Sequence, residues 1–160
     1  MTVRVLGIDP GTAVTGYGII EPSNGHPGRL VECGIIRTDP NEALWHRLDA
    51  IHEGVVELIA KHRPTALALE GVFYAKNVHT TVVLGHARGV IMLAAAQAGI
   101  DVSEFPPATV KKAIAGTTGA GKSQVGYMVQ RLLNLKAPPQ PHDAADGVAI
   151  ALTCLMAGQS

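Results

Sequence analysis

The sequence predicts one α/β domain, a mixed five-stranded sheet flanked by helices. Three observations lead there. Three short apolar runs open the chain and are joined by tight turns, as in an antiparallel meander. Helical and strand periods then alternate through the middle of the chain. The final third is helical and rich in alanine. At 160 residues, the chain suits one core rather than two. No internal repeat or long linker divides it. The domain is expected over residues 1–157, with a short tail at 158–160.

Residues 3–8 are an apolar run broken by Arg4 that stops at Asp9-Pro10-Gly11, a strand entering a turn. Residues 14–21 form a second strand, with Gly16 and Gly18 on the parity of Val14. After turn material at Gly25 to Gly28, residues 29–37 make a third strand. Residues 41–62 are helical, because Leu44, Leu48, Ile51, Val55, Leu58 and Ile59 recur every three or four positions. Asp39 and Asn41 are its candidate caps, and Pro64 bars its continuation. Residues 65–69 are a buried strand ending at Glu70-Gly71. A long helix follows over 78–98, then a fifth strand over 101–105. Pro107 opens a short helix reaching 115, a loop spans 116–121, and helical period resumes over 123–133. A Pro-rich connector leads to the last helix, over 143–156.

Composition narrows the function classes. Cys33 and Cys154 are too few and too far apart for a disulfide framework or a zinc site, so a reducing cytoplasm is the expectation. No run of 18 uncharged apolar residues exists and no basic stretch precedes a short apolar one, so neither a membrane anchor, a secretory leader nor a membrane partner is expected. The net charge of zero hides an uneven distribution. Residues 71–142 carry a balance of +5, residues 1–70 one of −3, and residues 143–160 one of −2. A basic middle beside acidic ends can serve a polyanion, although an ordinary solvated surface has the same composition.

Four carboxylates stand at element ends. Asp9 follows the first strand and Glu70 the fourth. If those strands are parallel neighbours, both carboxylates emerge at one end of the sheet, where open α/β sheets place their sites. Asp143 and Asp146 lie three apart on the last helix and share a face. Carboxylates on a closely packed Ala-rich face repel one another and resist burial, and a divalent cation resolves both problems. Oxygen ligands favour Mg²⁺ or Mn²⁺ over zinc, and two such ions about 3.5–4 Å apart could share Asp9. Asp9 equally suits a turn before Pro10, and Asp143 a helix N-cap after Pro141. His142 adjoins Asp143 and can be a further ligand, a supporting partner, a base or a capping residue.

Residues 116–123 match the phosphate-loop pattern G-x-x-x-x-G-K-[ST] letter for letter. That pattern needs a buried strand before it, and residues 109–115 read as a helix, so no nucleotide cofactor is expected. A glycine-rich backbone with Lys122 and Ser123 at a helix start still suits nucleic-acid phosphates, and Lys111 and Lys112 extend the patch. Phe73 and Tyr74 follow Glu70 in a loop, where an aromatic either stacks on an unpaired base or plugs the core. Lys76 and Asn77 either touch a DNA backbone or cap the next helix. In that helix Gly85 and Gly89 lie four apart, which suits close approach to the sheet or to a second subunit.

Six stretches in order resemble the RuvC-type Holliday junction resolvases of the ribonuclease H-like superfamily. They are Val5-Leu6-Gly7-Ile8-Asp9-Pro10-Gly11-Thr12, Glu70-Gly71-Val72-Phe73-Tyr74-Ala75-Lys76-Asn77, Leu84-Gly85-His86-Ala87-Arg88-Gly89, Pro107-Ala108-Thr109-Val110-Lys111, Gly121-Lys122-Ser123-Gln124-Val125 and Asp143-Ala144-Ala145-Asp146. The resemblance implies an acidic tetrad of Asp9, Glu70, Asp143 and Asp146 binding magnesium. It implies a homodimer that nicks opposite strands of four-way junction DNA and leaves 5′-phosphate and 3′-hydroxyl ends. It also implies an aromatic wedge at Phe73, basic contacts from Lys111 and Lys122, and work beside a junction-bound branch-migration complex. Some members of the family carry His where Asp143 stands here. A non-catalytic junction-binding module and a related RNA-processing nuclease are the alternatives.

Overall fold

The structure is a computed structural model and describes residues 2–71 and 77–158. Strands β1 (Val5–Asp9), β2 (Val14–Glu21) and β3 (Arg29–Arg37) form the expected meander. Helix α1 (Leu44–His62) leads to β4 (Ala66–Glu70), and α2 (Val78–Gln97) to β5 (Asp101–Phe105). Three helices complete the chain: α3 (Pro107–Ala115), α4 (Lys122–Leu132) and α5 (His142–Ala157). The sheet order is β3-β2-β1-β4-β5. β1 is antiparallel to β2 and parallel to β4, and β4 is parallel to β5. The sheet is therefore mixed, and the ends of β1, β4 and β5 all point the same way.

The strand alternation divides the core into two layers. Leu6, Ile8, Ile19, Leu67 and Leu69 pack with α1 and α2 on one face. Val5, Ile20 and Ala68 pack with α3, α4 and α5 on the other. α5 approaches the sheet closely because both surfaces lack bulk. A Cβ on Gly7 would lie 2.3 Å from the Gly147 carbonyl, and one on Gly147 would lie 2.6 Å from the Tyr17 Cα. Residues larger than glycine would push α5, and with it Asp146, away from β1.

Most element boundaries fall within a residue or two of those expected. The clearest difference is α1, which starts at Leu44 rather than 41. Asn41 donates its backbone N–H to the Asp39 carboxylate at 2.9 Å, closing a local turn instead of starting the helix. Ala43 stands at the N-cap without a side-chain bond, so neither Asp39 nor Asn41 caps α1. In α2, Val83, Ala87, Ile91, Ala94 and Ala95 are buried. By length and composition alone α2 could cross a membrane, yet Ala87, Ile91, Ala94 and Ala95 form part of the core beneath the sheet.

Candidate active site

Period-two alternation positions the first two carboxylates. Asp9 shares the parity of Val5, and Glu70 that of Ala68, so both face α5. The parallel register pairs Ile8 with Leu69, which makes Asp9 and Glu70 the next neighbours at the sheet end. Adjacent strands lie about 4.8 Å apart, so the Asp9 carboxyl stands within reach of the Glu70 carboxyl. Burial beside that neighbour favours a proton on Asp9. Asp9 is pushed up to about 9, first by burial, then by its hydrogen bond to Glu70 and by the charges of Glu70 and Asp146. Lys122 opposes that shift.

Asp146 arrives from α5, one turn inside the helix, and its carboxylate lies 3.6 Å from the Lys122 Nζ. Lys122 is the first residue of α4, placed there by the Gly116–Gly121 loop after α3. Asp9, Glu70, Asp146, Lys111 and Lys122 thus line one cleft of about 350 Å³, floored by Val110, Val125 and Ile150. The element before the glycine-rich loop is α3, a helix, so the strand that a nucleotide-binding phosphate loop requires is not there.

Other expected residues take different places. Asp143 is exposed at the start of α5 and stands outside the cleft lining. Its backbone carbonyl instead abuts Gly16, where an added Cβ would come within 1.9 Å. His142, Lys112 and Ser123 are exposed and do not line the cleft either. Asn77 takes the capping alternative: its Oδ1 accepts from the Thr80 N–H at 2.8 Å. Phe73, Tyr74 and Lys76 lie outside the described residues.

The residue that sequence reasoning missed is Arg88. It is buried at 9% exposure and donates to the Glu70 carbonyl and, at 2.7 Å, to the Glu104 carboxylate. Its signal was present: Arg88 is the only Asp, Glu, Lys or Arg in the sequence of α2. A lone guanidinium in an apolar helix needs a buried partner.

The donor set fits a hard divalent cation. Two neighbouring carboxyls, one of them buried enough to favour its proton, with a third beside an ammonium, are oxygen ligands lacking a stronger positive charge. Among the described residues no three acidic, His or Cys side chains already form a group that could hold a metal ion. Asp9 is turned to Glu70, and Asp146 to Lys122. A cation held here would take the place of the proton on Asp9 and of the Lys122 ammonium beside Asp146.

The comparisons agree with this arrangement. The family model "Crossover junction endodeoxyribonuclease RuvC" matches residues 5–154. The protein of that name from Pelotomaculum thermopropionicum is 49% identical over 148 residues, covering 92% of this chain and 90% of its own. Its counterpart from Halorhodospira halophila is 52% identical over 149 residues, covering 93% and 87%. Among solved structures, T. thermophilus RuvC in complex with a Holliday junction substrate superposes with a TM-score of 0.92 at 35% identity, covering 98% of this chain and 95% of that one. The yeast mitochondrial Holliday junction resolvase Ydc2 shares the fold, with a TM-score of 0.70 at 13% identity. A family match across almost the whole chain, on a ribonuclease H-like sheet with acidic side chains at its strand ends, means that the chain belongs to the RuvC family of crossover junction endodeoxyribonucleases.

Proposed function

We propose that Asp9, Glu70 and Asp146 hold the divalent cations with which this metal-dependent, structure-selective endonuclease resolves four-way DNA junctions. The observation that carries the assignment is the convergence of Asp9, Glu70 and Asp146, with Lys122, in one cleft. Magnesium is the natural ion, with Mn²⁺ able to replace it, and two ions per site match the donor set. Held by Asp9, Glu70 and Asp146, such cations would supply Lewis acidity for activating water and for offsetting charge on the scissile phosphate. Asp143 and His142, exposed at the start of α5, are the further candidates to complete the set.

The protein's own groups do the rest. Asp9 gives up its proton to solvent and, with Glu70, presents carboxylate oxygens to the cleft. Lys122, released from Asp146, and Lys111 on the cleft wall bind the DNA backbone. The first turn of α4 adds N–H groups directed outward at a helix start. Val110, Val125 and Ile150 keep the floor apolar, which strengthens every charge interaction above it. Phe73 supplies the aromatic wedge at the junction centre. Lys112 and Ser123, exposed outside the cleft lining, are further backbone contacts, and Lys76 is a third.

A second copy of the chain fits the outer face of α2. Val78 (80% exposed), Val82, Met92 and Leu93 are exposed apolar residues on that helix. An added Cβ on Gly85 or Gly89 meets nothing within 4 Å, so a partner helix can approach closely there. A homodimer of this kind presents two clefts to two strands, and the branch-migration complex is its partner on the same DNA. In this reading the protein works in the cytoplasm, where Cys33 and Cys154 stay as free thiols.

The test uses end-labelled four-way DNA, linear duplex and structured RNA, each with Mg²⁺ or with EDTA. We expect paired, symmetric nicks in the four-way DNA with Mg²⁺, and none with EDTA. Junction binding without cleavage in Mg²⁺ would favour the non-catalytic module. Cleavage of the RNA in preference to the junction would favour the RNA-processing nuclease.

A further inference from the structure

Glu70 is the last residue of β4, and its backbone must be held for its carboxylate to face Asp9. The strand ladder does part of this. Glu70 pairs with Phe105, and the Gly71 N–H donates to the Phe105 carbonyl at 2.9 Å. On the other side β1 ends at Asp9. The next residue is Pro10, which has no N–H to give. A buried carbonyl without a donor is costly. Arg88 provides one: its Nη1 donates to the Glu70 carbonyl. Pro10, Glu70, Leu84 and Arg88 enclose a small cavity of about 20 Å³ at this point.

The guanidinium is itself fixed. Its Nη2 donates to the Glu104 carboxylate at 2.7 Å. Glu104 pairs in register with Leu69, so it shares the α2-facing side of the sheet. Arg88 therefore reaches Glu70 from the α2 face, while the Glu70 side chain points to the α5 face. The contact runs through the backbone and never enters the cleft.

We propose that Arg88 is a positioning residue that sets the Glu70 carboxylate for cation binding by anchoring the Glu70 carbonyl where Pro10 leaves the ladder unpaired. This inference rests on the reading of Asp9, Glu70 and Asp146 as the cation site. A planar fork with two separate acceptors suits arginine better than lysine. Groups that orient a metal-binding side chain from behind are worth about tenfold to a hundredfold in metal affinity.

The test measures Mn²⁺ binding to the DNA-free protein from the free-Mn²⁺ electron paramagnetic resonance signal, so that no cleavage is needed. Four-way junction affinity is measured in parallel. We expect Arg88→Met to weaken Mn²⁺ binding by about tenfold or more, with junction affinity within about threefold of the unsubstituted protein. Arg88→Lys keeps a donor for only one of the two acceptors and should recover part of the loss, leaving a deficit of about threefold. Glu104→Gln keeps the carbonyl anchor and should change Mn²⁺ affinity less than Arg88→Met does. Unchanged Mn²⁺ affinity in Arg88→Met overturns the proposal. If that variant does not fold, Arg88→Lys decides: a loss of about threefold supports the anchor, and an unchanged value overturns it. Glu70→Gln is the control for the underlying site. Full Mn²⁺ affinity in Glu70→Gln would show that the site reading had failed, independently of Arg88.

Discussion

Asp146→Asn is expected to lower junction cleavage by about a thousandfold or more while leaving junction binding within a few fold. The volume is almost unchanged, so α5 keeps its seat on Gly7 and Gly18, and the fold is preserved. What disappears is one negative charge and one strong oxygen ligand at the cleft. Losing charge stabilisation in a water-poor site commonly costs a factor of 10² to 10³, and loss of an ion costs more. Binding follows a different balance, because phosphate contacts dominate it. Removing the Asp146 charge also frees Lys122 from its 3.6 Å partner, which favours DNA. Single-turnover cleavage of labelled four-way DNA in Mg²⁺, beside a binding titration in Ca²⁺, checks both halves. Full cleavage by the variant would remove Asp146 from the mechanism.

Asp9→Asn is expected to abolish cleavage as thoroughly, yet to stabilise the metal-free protein. The sign follows from linkage. Asp9 titrates at 3.8 in its ordinary environment and at about 9 in the fold. Below about pH 4 both the folded and unfolded chains hold this proton. Between these values only the folded chain holds it, so unfolding releases a proton and stability falls as pH rises. Thermal unfolding in EDTA should therefore show a melting temperature that declines from weakly acidic toward alkaline pH. Asn at position 9 needs no proton and should flatten that slope. In Mg²⁺ the dependence reverses for the unsubstituted protein: the ion competes with the proton, so its stabilising effect should grow with pH. A metal-free melting temperature independent of pH in the unsubstituted protein would contradict the raised proton affinity of Asp9.

How far the site was legible depended on whether a signal was local. Asp9 and Glu70 could be read because each ends an apolar run, and the two-residue period fixes which face each side chain takes. Asp143 and Asp146 could be read as a pair on one helix face, but their division could not. Asp146 lies at the cleft, whereas Asp143 stands one turn earlier, beside Gly16 and in solvent. Helical spacing is silent on where a helix meets the sheet; the glycine contacts of α5 decide it. The cleft wall from α3 and α4 depends on how a glycine-rich loop folds back, and no periodicity encodes that. Arg88 was visible as an isolated charge in α2, yet its partners are a carbonyl 18 residues earlier and a carboxylate on β5. The backbone gap that it fills exists only because Pro10 ends β1 beside Glu70.

The fold boundaries show the same division. Hydrophobic period located every strand and helix, because burial on one face requires it. The start of α1 was misplaced because Asp39 prefers a local bond to the Asn41 N–H over capping a helix.

The most direct measurement is an anomalous difference map from a crystal of the protein grown with Mn²⁺. Asp9, Glu70 and Asp146 should surround the anomalous density, with the Lys122 ammonium displaced from Asp146. Density elsewhere on the molecule, with Asp9 still turned to Glu70 and Lys122 still on Asp146 at saturating Mn²⁺, would contradict the account.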